Sequence, residues 1–291
     1  MNYSFSIIVC SIKPELAEAL HQNIASTIGC PFEMLICDNR NTGKGICAVY
    51  NEAAARATGD YLCFVHEDVL FHTPDWGARI AQKLREESCG VIGFAGSNTK
   101  LASLSGWSAN SSDVRQHYTQ RLRSGKRRHF STNPANEEFS PSVCLDGFCL
   151  FVRREVWQQS PFDASTFPGF HGYDLDFTTS IACRWSNYVC QIVEVEHISE
   201  GGFSKVWLEA LKRYHDKHRD HLPLFAGWSP TPEQLATLER KSEAYFIKFL
   251  LKMGLYERGE GVKAIFRHIG KYPLHASSWA LLLKGLKYGL R

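Results

Sequence analysis

Through its first two hundred residues the chain exchanges short apolar runs for helix-like stretches, and that rhythm constrains its fold more than any single motif. Phe5 to Cys10, Met34 to Asp38, Tyr61 to Val65, Val91 to Ala95, Val143 to Val152 and Tyr188 to Val195 are largely apolar. Runs of this length predict strands buried on both faces. Between them Pro14 to Ile28, Ile46 to Ala57 and Asp75 to Glu87 carry helical periodicity, and Pro74 marks a helix start. Strand, helix, strand in succession predicts an α/β fold, a mostly parallel sheet with helices on both faces.

Two segments break the rhythm. Ser97 to Pro141 is polar and carries the basic cluster Arg121, Arg123, Lys126, Arg127 and Arg128. A segment this long reads as a loop that is functional or locally disordered. Its cations form either a solvated surface or a flap closing over a diphosphate or an anionic acceptor. Leu238 to Arg291 follows Pro230 and Pro232 and reads as two or three amphipathic helices. The expected division is residues 1–229 and a helical appendage over 230–291.

Composition narrows the class. Among 291 residues 44% are apolar and 22% charged, which excludes a largely disordered chain. A net charge of +3 argues against a dedicated nucleic-acid binder. That sum hides a division, since residues 238–291 hold eleven Lys and Arg against four acids, or +7, leaving −4 elsewhere. The ten cysteines form no CxxC pair and all precede residue 191, as expected of reduced core packing in the cytoplasm. The N-terminal run lacks a basic n-region, and no stretch approaches the ~20 apolar residues of a membrane span.

Ligands of open α/β sheets bind beyond the carboxyl ends of the strands. The residues there are Ser11 after the first run, Asp38 after the second, His66-Glu67-Asp68 after the third, and Glu194 to His197 after the last. Neither GxGxxG nor GxxxxGK[ST] occurs, so dinucleotide and P-loop binding are not indicated. A divalent metal on oxygen ligands is another way to hold phosphate.

Five segments in order carry a resemblance. Asn51-Glu52-Ala53-Ala54-Ala55-Arg56-Ala57-Thr58-Gly59 leads into Gly59-Asp60-Tyr61-Leu62-Cys63-Phe64-Val65-His66-Glu67-Asp68. Then follow Leu145-Asp146-Gly147-Phe148, Gly172-Tyr173-Asp174-Leu175-Asp176-Phe177, and His197-Ile198-Ser199-Glu200-Gly201-Gly202. Over residues 5 to 220 this pattern resembles family 2 glycosyltransferases of the GT-A (Rossmann-like) fold. His66 stands where the first Asp of their DxD motif is expected. That His-x-Asp form resembles a bacterial subgroup.

The resemblance implies an inverting glycosyltransferase using a nucleotide-diphosphate sugar, UDP- or dTDP-linked, and a saccharide or lipid-linked acceptor, in surface polysaccharide or glycoconjugate synthesis. It implies Asp174 as catalytic base and Asp68 with His197 as ligands of Mn²⁺ or Mg²⁺. Ser11, Asp38, Asn51, Glu67 and His66 would bind the nucleotide, and Asp146, Gly147 and Asp176 the sugar or acceptor. Plainer roles compete. Asp38 and Asp146 suit turns, Asn51 suits a helix cap, and acids at 174 and 176 complement a helix dipole. Spaced i and i+2, those two acids face different ways and should not share a role. A nucleotidyltransferase and a non-catalytic carbohydrate-binding protein remain alternatives. The basic tail suits either an anionic membrane surface or contact with the first domain or a second copy.

Overall fold

The structure is a computed structural model describing residues 3–108, 112–199, 201–257 and 259–288. Glu200, Arg258 and Arg291, which belong to the segments singled out above, lie outside the described residues. Its strands are β1 (Phe5–Ser11), β2 (Phe32–Asp38), β3 (Tyr61–Val65), β4 (Val69–Phe71), β5 (Cys89–Gly93), β6 (Ala95–Ser97), β7 (Thr99–Lys100) and β8 (Val114–Arg121). They continue with β9 (Arg127–Thr132), β10 (Phe139–Ser142), β11 (Cys144–Leu145), β12 (Cys149–Arg153), β13 (Ser186–Cys190), β14 (Val195–His197) and β15 (Leu224–Phe225). The helices are α1 (Pro14–Thr27), α2 (Ile46–Ala54), α3 (Trp76–Leu84), α4 (Arg154–Gln159), α5 (Tyr173–Ala182), α6 (Lys205–Lys217), α7 (Pro232–Met253), α8 (Glu260–Lys271) and α9 (Ala276–Tyr288).

The main sheet runs β10-β13-β5-β12-β3-β1-β2. Five strands point one way, and only β12 and the edge strand β10 oppose them, as a mostly parallel sheet requires. Phe5, Ile7 and Val9 of β1 pack towards α1 and α3, whereas Ile8, with Leu62 and Phe64 of β3, packs towards α2 and α5. A strand covered by helices on both faces needs apolar residues at consecutive positions, which is the pattern the sequence carries. β2 departs from the expectation. It lies at the sheet edge and is only half-buried.

A second sheet, β11-β6-β8-β14-β4 with β9 on β8, was not expected. It explains why two apolar runs are broken: 143–152 divides at Asp146-Gly147 into β11 and β12, and 188–195 divides into β13 and β14. Each pair is shared between the two sheets. The Ser97–Pro141 segment is corrected too. Much of it is the β8–β9 hairpin, pinned where the carboxylate of Glu196 of β14, 2% exposed, forms ion pairs with Arg121 Nε at 3.0 Å and Arg127 Nε at 2.9 Å. Two of its five cations therefore serve the fold.

Past Pro230 the chain enters α7, capped by Thr231, whose hydroxyl accepts from the Gln234 N–H. Phe246 and Leu250 of α7 join the main core, while Ile247 and Leu251 pack with Ile265, Ile269 and Leu281 of α8 and α9. Among the described residues no helix is long and apolar enough to cross a membrane. All ten cysteines are unpaired, and six are buried.

Candidate active site

Four ends of secondary structure converge on a cavity of about 670 Å³. His66 and Asp68 follow β3, Asp146 and Gly147 form the β11–β12 turn, Asp174 opens α5, and His197 ends β14; all six line it. The start of α5 depends on Gly172, whose φ of +84° is a left-handed conformation that other residues resist. Gly147 is fixed by space, since a Cβ there would lie 2.2 Å from the Tyr173 hydroxyl.

Ligand atoms of His66, Asp68 and His197 all lie within 4.8 Å of one another. Asp68 Oδ1 sits 3.3 Å from His197 Nε2 and is buried without a hydrogen-bond partner. A buried carboxylate oxygen left unpaired between two imidazoles fits a cation-binding site, because such atoms are otherwise satisfied. Burial alone would raise the Asp68 carboxyl, but His197 and then His66 hold it below its usual range. Burial, followed by His197, pushes His66 down to about 4 against the pull of Asp68, so its ring is neutral. His66 Nε2 lies 2.8 Å from the Tyr173 hydroxyl, which donates to the Gly147 carbonyl at 3.0 Å. With its one proton so used, the hydroxyl accepts from Nε2–H, leaving Nδ1 of His66 as a free lone pair. Phe148 stacks on the His197 ring at 4.7 Å.

Two carboxyls, Asp146 and Asp174, line the same cavity. Burial, then the neighbouring Asp146, pushes Asp174 up to about 7, and the Gly147 N–H donates to its Oδ2 at 3.2 Å. Asp146 is also raised by burial, against the opposing effects of His197, the Phe148 N–H and the Trp107 side chain. Aromatic residues enclose this half, namely Trp107, Phe170, Tyr173, Phe203, Trp207 and, from α7, Tyr245, Phe246 and Phe249. Sequence reasoning missed this wall. Tyr173 was visible inside its motif, but Trp107 lay in a segment read as loop.

The other expected nucleotide contacts sit elsewhere. Ser11 Oγ donates to Glu67 Oε2 at 2.6 Å, and the N–H groups of Ile12 and Lys13 donate to the same oxygen at 3.0 Å, so Glu67 holds the β1–α1 turn. Asp38 is exposed at the end of β2, where a hydrogen bond from Arg40 lowers it to about 2. Asn51 neither caps a helix nor faces the cavity. Its amide donates to the Phe162 carbonyl at 2.7 Å and accepts from the Phe162 N–H and the Trp157 indole, fastening α2 to α4 and to the chain just after it. Asp176 lies outside the cavity lining. Lys217 and His218 bind its buried carboxylate at 2.8 Å, which separates it from Asp174 as their spacing predicts.

The mostly parallel sheet, with its rim of acids and histidines at the strand ends, has the fold of GT-A glycosyltransferases. The model of a family described as "Glycosyltransferase like family" matches residues 6–217, and the chain belongs to that family. The fold is similar to a mannosyltransferase from Pyrobaculum calidifontis, solved with GDP-Man and Mn²⁺, at 13% identity and a TM-score of 0.50. The match covers 99% of this chain and 81% of that one. S. aureus TarS residues 1–349 align at 13% identity over 92% of this chain and 89% of theirs, with a TM-score of 0.47. No curated protein sequence matches the chain.

Proposed function

We propose that the chain is a metal-dependent, inverting glycosyltransferase that moves a hexose from a nucleotide-diphosphate donor to an acceptor hydroxyl. The observation that carries this reading is the half-buried Asp174, raised towards neutrality and lining the same cavity as the His66–Asp68–His197 cluster. A general base works best with a pKa near the working pH.

His66 through Nδ1, Asp68 and His197 would hold the cation. A set of two imidazoles and one carboxylate suits Mn²⁺ better than Mg²⁺. Bound there, a divalent ion would offset charge on the departing diphosphate. Asp174 takes the proton of the acceptor hydroxyl as its oxygen bonds to the anomeric carbon, while the bond from that carbon to the diphosphate breaks on the opposite face. The Gly147 N–H keeps Asp174 aimed, and Tyr173 keeps His66 in one tautomer. Glu67 shapes the turn bearing Ser11, which with Asp38 forms the nucleotide side; Asp146 and Gly147 meet the acceptor.

In this reading residues 1–229 carry donor and metal, and 230–291 lend the aromatic face of α7 to the acceptor. The outward stripe of α9, Ala276, Trp279, Ala280 and Leu283, is apolar and exposed beside Lys284 and Lys287. It supports contact with an anionic membrane surface, with a lipid-linked saccharide acceptor and a surface polysaccharide or glycoconjugate as product.

A panel of nucleotide sugars incubated with Mn²⁺ should release free sugar slowly from one member, and EDTA should abolish that release. Asp174→Asn should cut transfer by roughly 10²–10⁴-fold while Mn²⁺-dependent nucleotide binding persists. Full turnover in the variant rules out the base, and activity surviving EDTA rules out the metal.

A further inference from the structure

One fully buried cation takes no part in this chemistry. Lys100, at the end of β7, is 0% exposed. Its Nζ donates to the Ser105 carbonyl at 2.9 Å, the Ser105 hydroxyl at 2.8 Å and the Gly106 carbonyl at 2.9 Å, and lies 3.1 Å from His215 Nε2. The Ser105 N–H also donates to His215 Nε2 at 3.1 Å, so that nitrogen is an acceptor and the ring is neutral. The same turn is gripped from its other end by Glu239 of α7, which accepts from the Ala102 and Ser103 N–H groups at 2.8 and 2.9 Å.

Such burial needs a reason. An ammonium removed from water without a direct ion pair is costly, and a methionine of similar length would pack there at less expense. What Lys100 gains is three oxygens of one turn. That turn delivers Gly106 and Trp107 to the cavity wall, where the Trp107 side chain acts on Asp146 and its carbonyl accepts from the Cys144 thiol at 3.2 Å.

We propose that Lys100 is a positioning residue of the acceptor site, its ammonium fastening the 103–107 turn so that Trp107 stands against Asp146. The acceptor assignment rests on the reading above; the positioning does not. The groups facing Lys100 are His215 and Tyr214 of α6, Cys144 of β11 and Glu239 of α7. Burial lowers the ammonium to about 8, so the fastening weakens above that pH.

The test uses the full chain with 5-fluorotryptophan in place of tryptophan, the Trp107 fluorine resonance being assigned by its loss in Trp107→Phe. In Lys100→Met that resonance should shift or broaden while those of the remote Trp76, Trp157 and Trp185 stay put; Trp207 and Trp228, which touch Gly106 and Thr99, are not used as references. Amide hydrogen exchange across 101–108 should rise at least tenfold. In the wild type the resonance should also move with a midpoint near pH 8, a transition missing from the variant. An unmoved resonance with unchanged exchange overturns the proposal. If Lys100→Met does not fold, Ser105→Ala, which removes one of the three oxygens, must displace the same signal, and an unmoved signal there overturns it. None of these readouts requires turnover, so the positioning can fail while glycosyl transfer stands, and the reverse.

Discussion

A half-buried carboxyl such as Asp174, held away from water with Asp146 beside it, favours the folded chain most while it carries its proton. Its pKa is raised from 3.8 to about 7, so the folded state binds the proton more tightly than the unfolded one. Stability is therefore lost as pH climbs between those values and is level above them. Asp174→Asn should melt higher than the wild type, by a margin that widens from pH 5 to pH 7 and is flat beyond. Scanning calorimetry across that range checks it, and a margin independent of pH would show that the carboxyl is not perturbed. At this scale the sequence was legible where a residue acts through its own neighbours. Asp174 and Asp176, two positions apart on a helix, had to diverge, and they do. It was illegible where the partner is remote. Nothing near Asn51 announces Trp157 and Phe162, and nothing near Glu67 announces the N–H groups of Ile12 and Lys13.

Among the elements, the β8–β9 hairpin is the instructive one. Its residues are half-buried or exposed, with few apolar positions, so no strand period stands out against the charges. Order comes from Glu196, some seventy positions downstream, which draws Arg121 and Arg127 together across the register. Glu196→Ala leaves both guanidinium groups without their acid. Arg127 is 60% exposed and can hydrate, so the loss falls short of the ~3–5 kcal/mol of a fully buried pair and should be roughly 1–3 kcal/mol. Denaturant unfolding measures that cost. Faster amide exchange confined to 114–132 would place it in the hairpin, whereas unchanged exchange there would show that the hairpin stands without the acid. The apolar strands of the main sheet needed no such help, which is why those were readable.

For the molecule as a whole, the question is what the +7 of residues 238–291 meets. Trp279 is 50% and Leu283 70% exposed on the outer face of α9, one turn apart and flanked by lysines. Vesicles containing phosphatidylglycerol should sediment the intact protein, and Trp279→Ala with Leu283→Ala should weaken that several-fold. Added salt should weaken it further, since the cations act over about a Debye length of ~8–10 Å. Binding equal to that of neutral phosphatidylcholine vesicles would count against a membrane and leave a second copy of the chain as occupant. The helical character of this region and the bend in composition near Pro230 were both legible. That successive residues of α7 serve two different cores was not, because an amphipathic pattern shows that a face is buried and not what buries it.

That double service fixes where the gene can be cut. Phe246 and Ile247 are adjacent, yet one belongs to the catalytic core and the other to the C-terminal bundle. A chimaera joined at residue 229 would import a foreign aromatic wall along with a foreign helix, and under the proposed function would exchange acceptor selectivity along with the tail. One joined after Met253, where Gly254 turns the chain with a φ of +65°, would exchange only the outer helices and keep the cavity native. Recombinants made at the two junctions would thus separate the contribution of the α7 aromatic wall from that of α8 and α9.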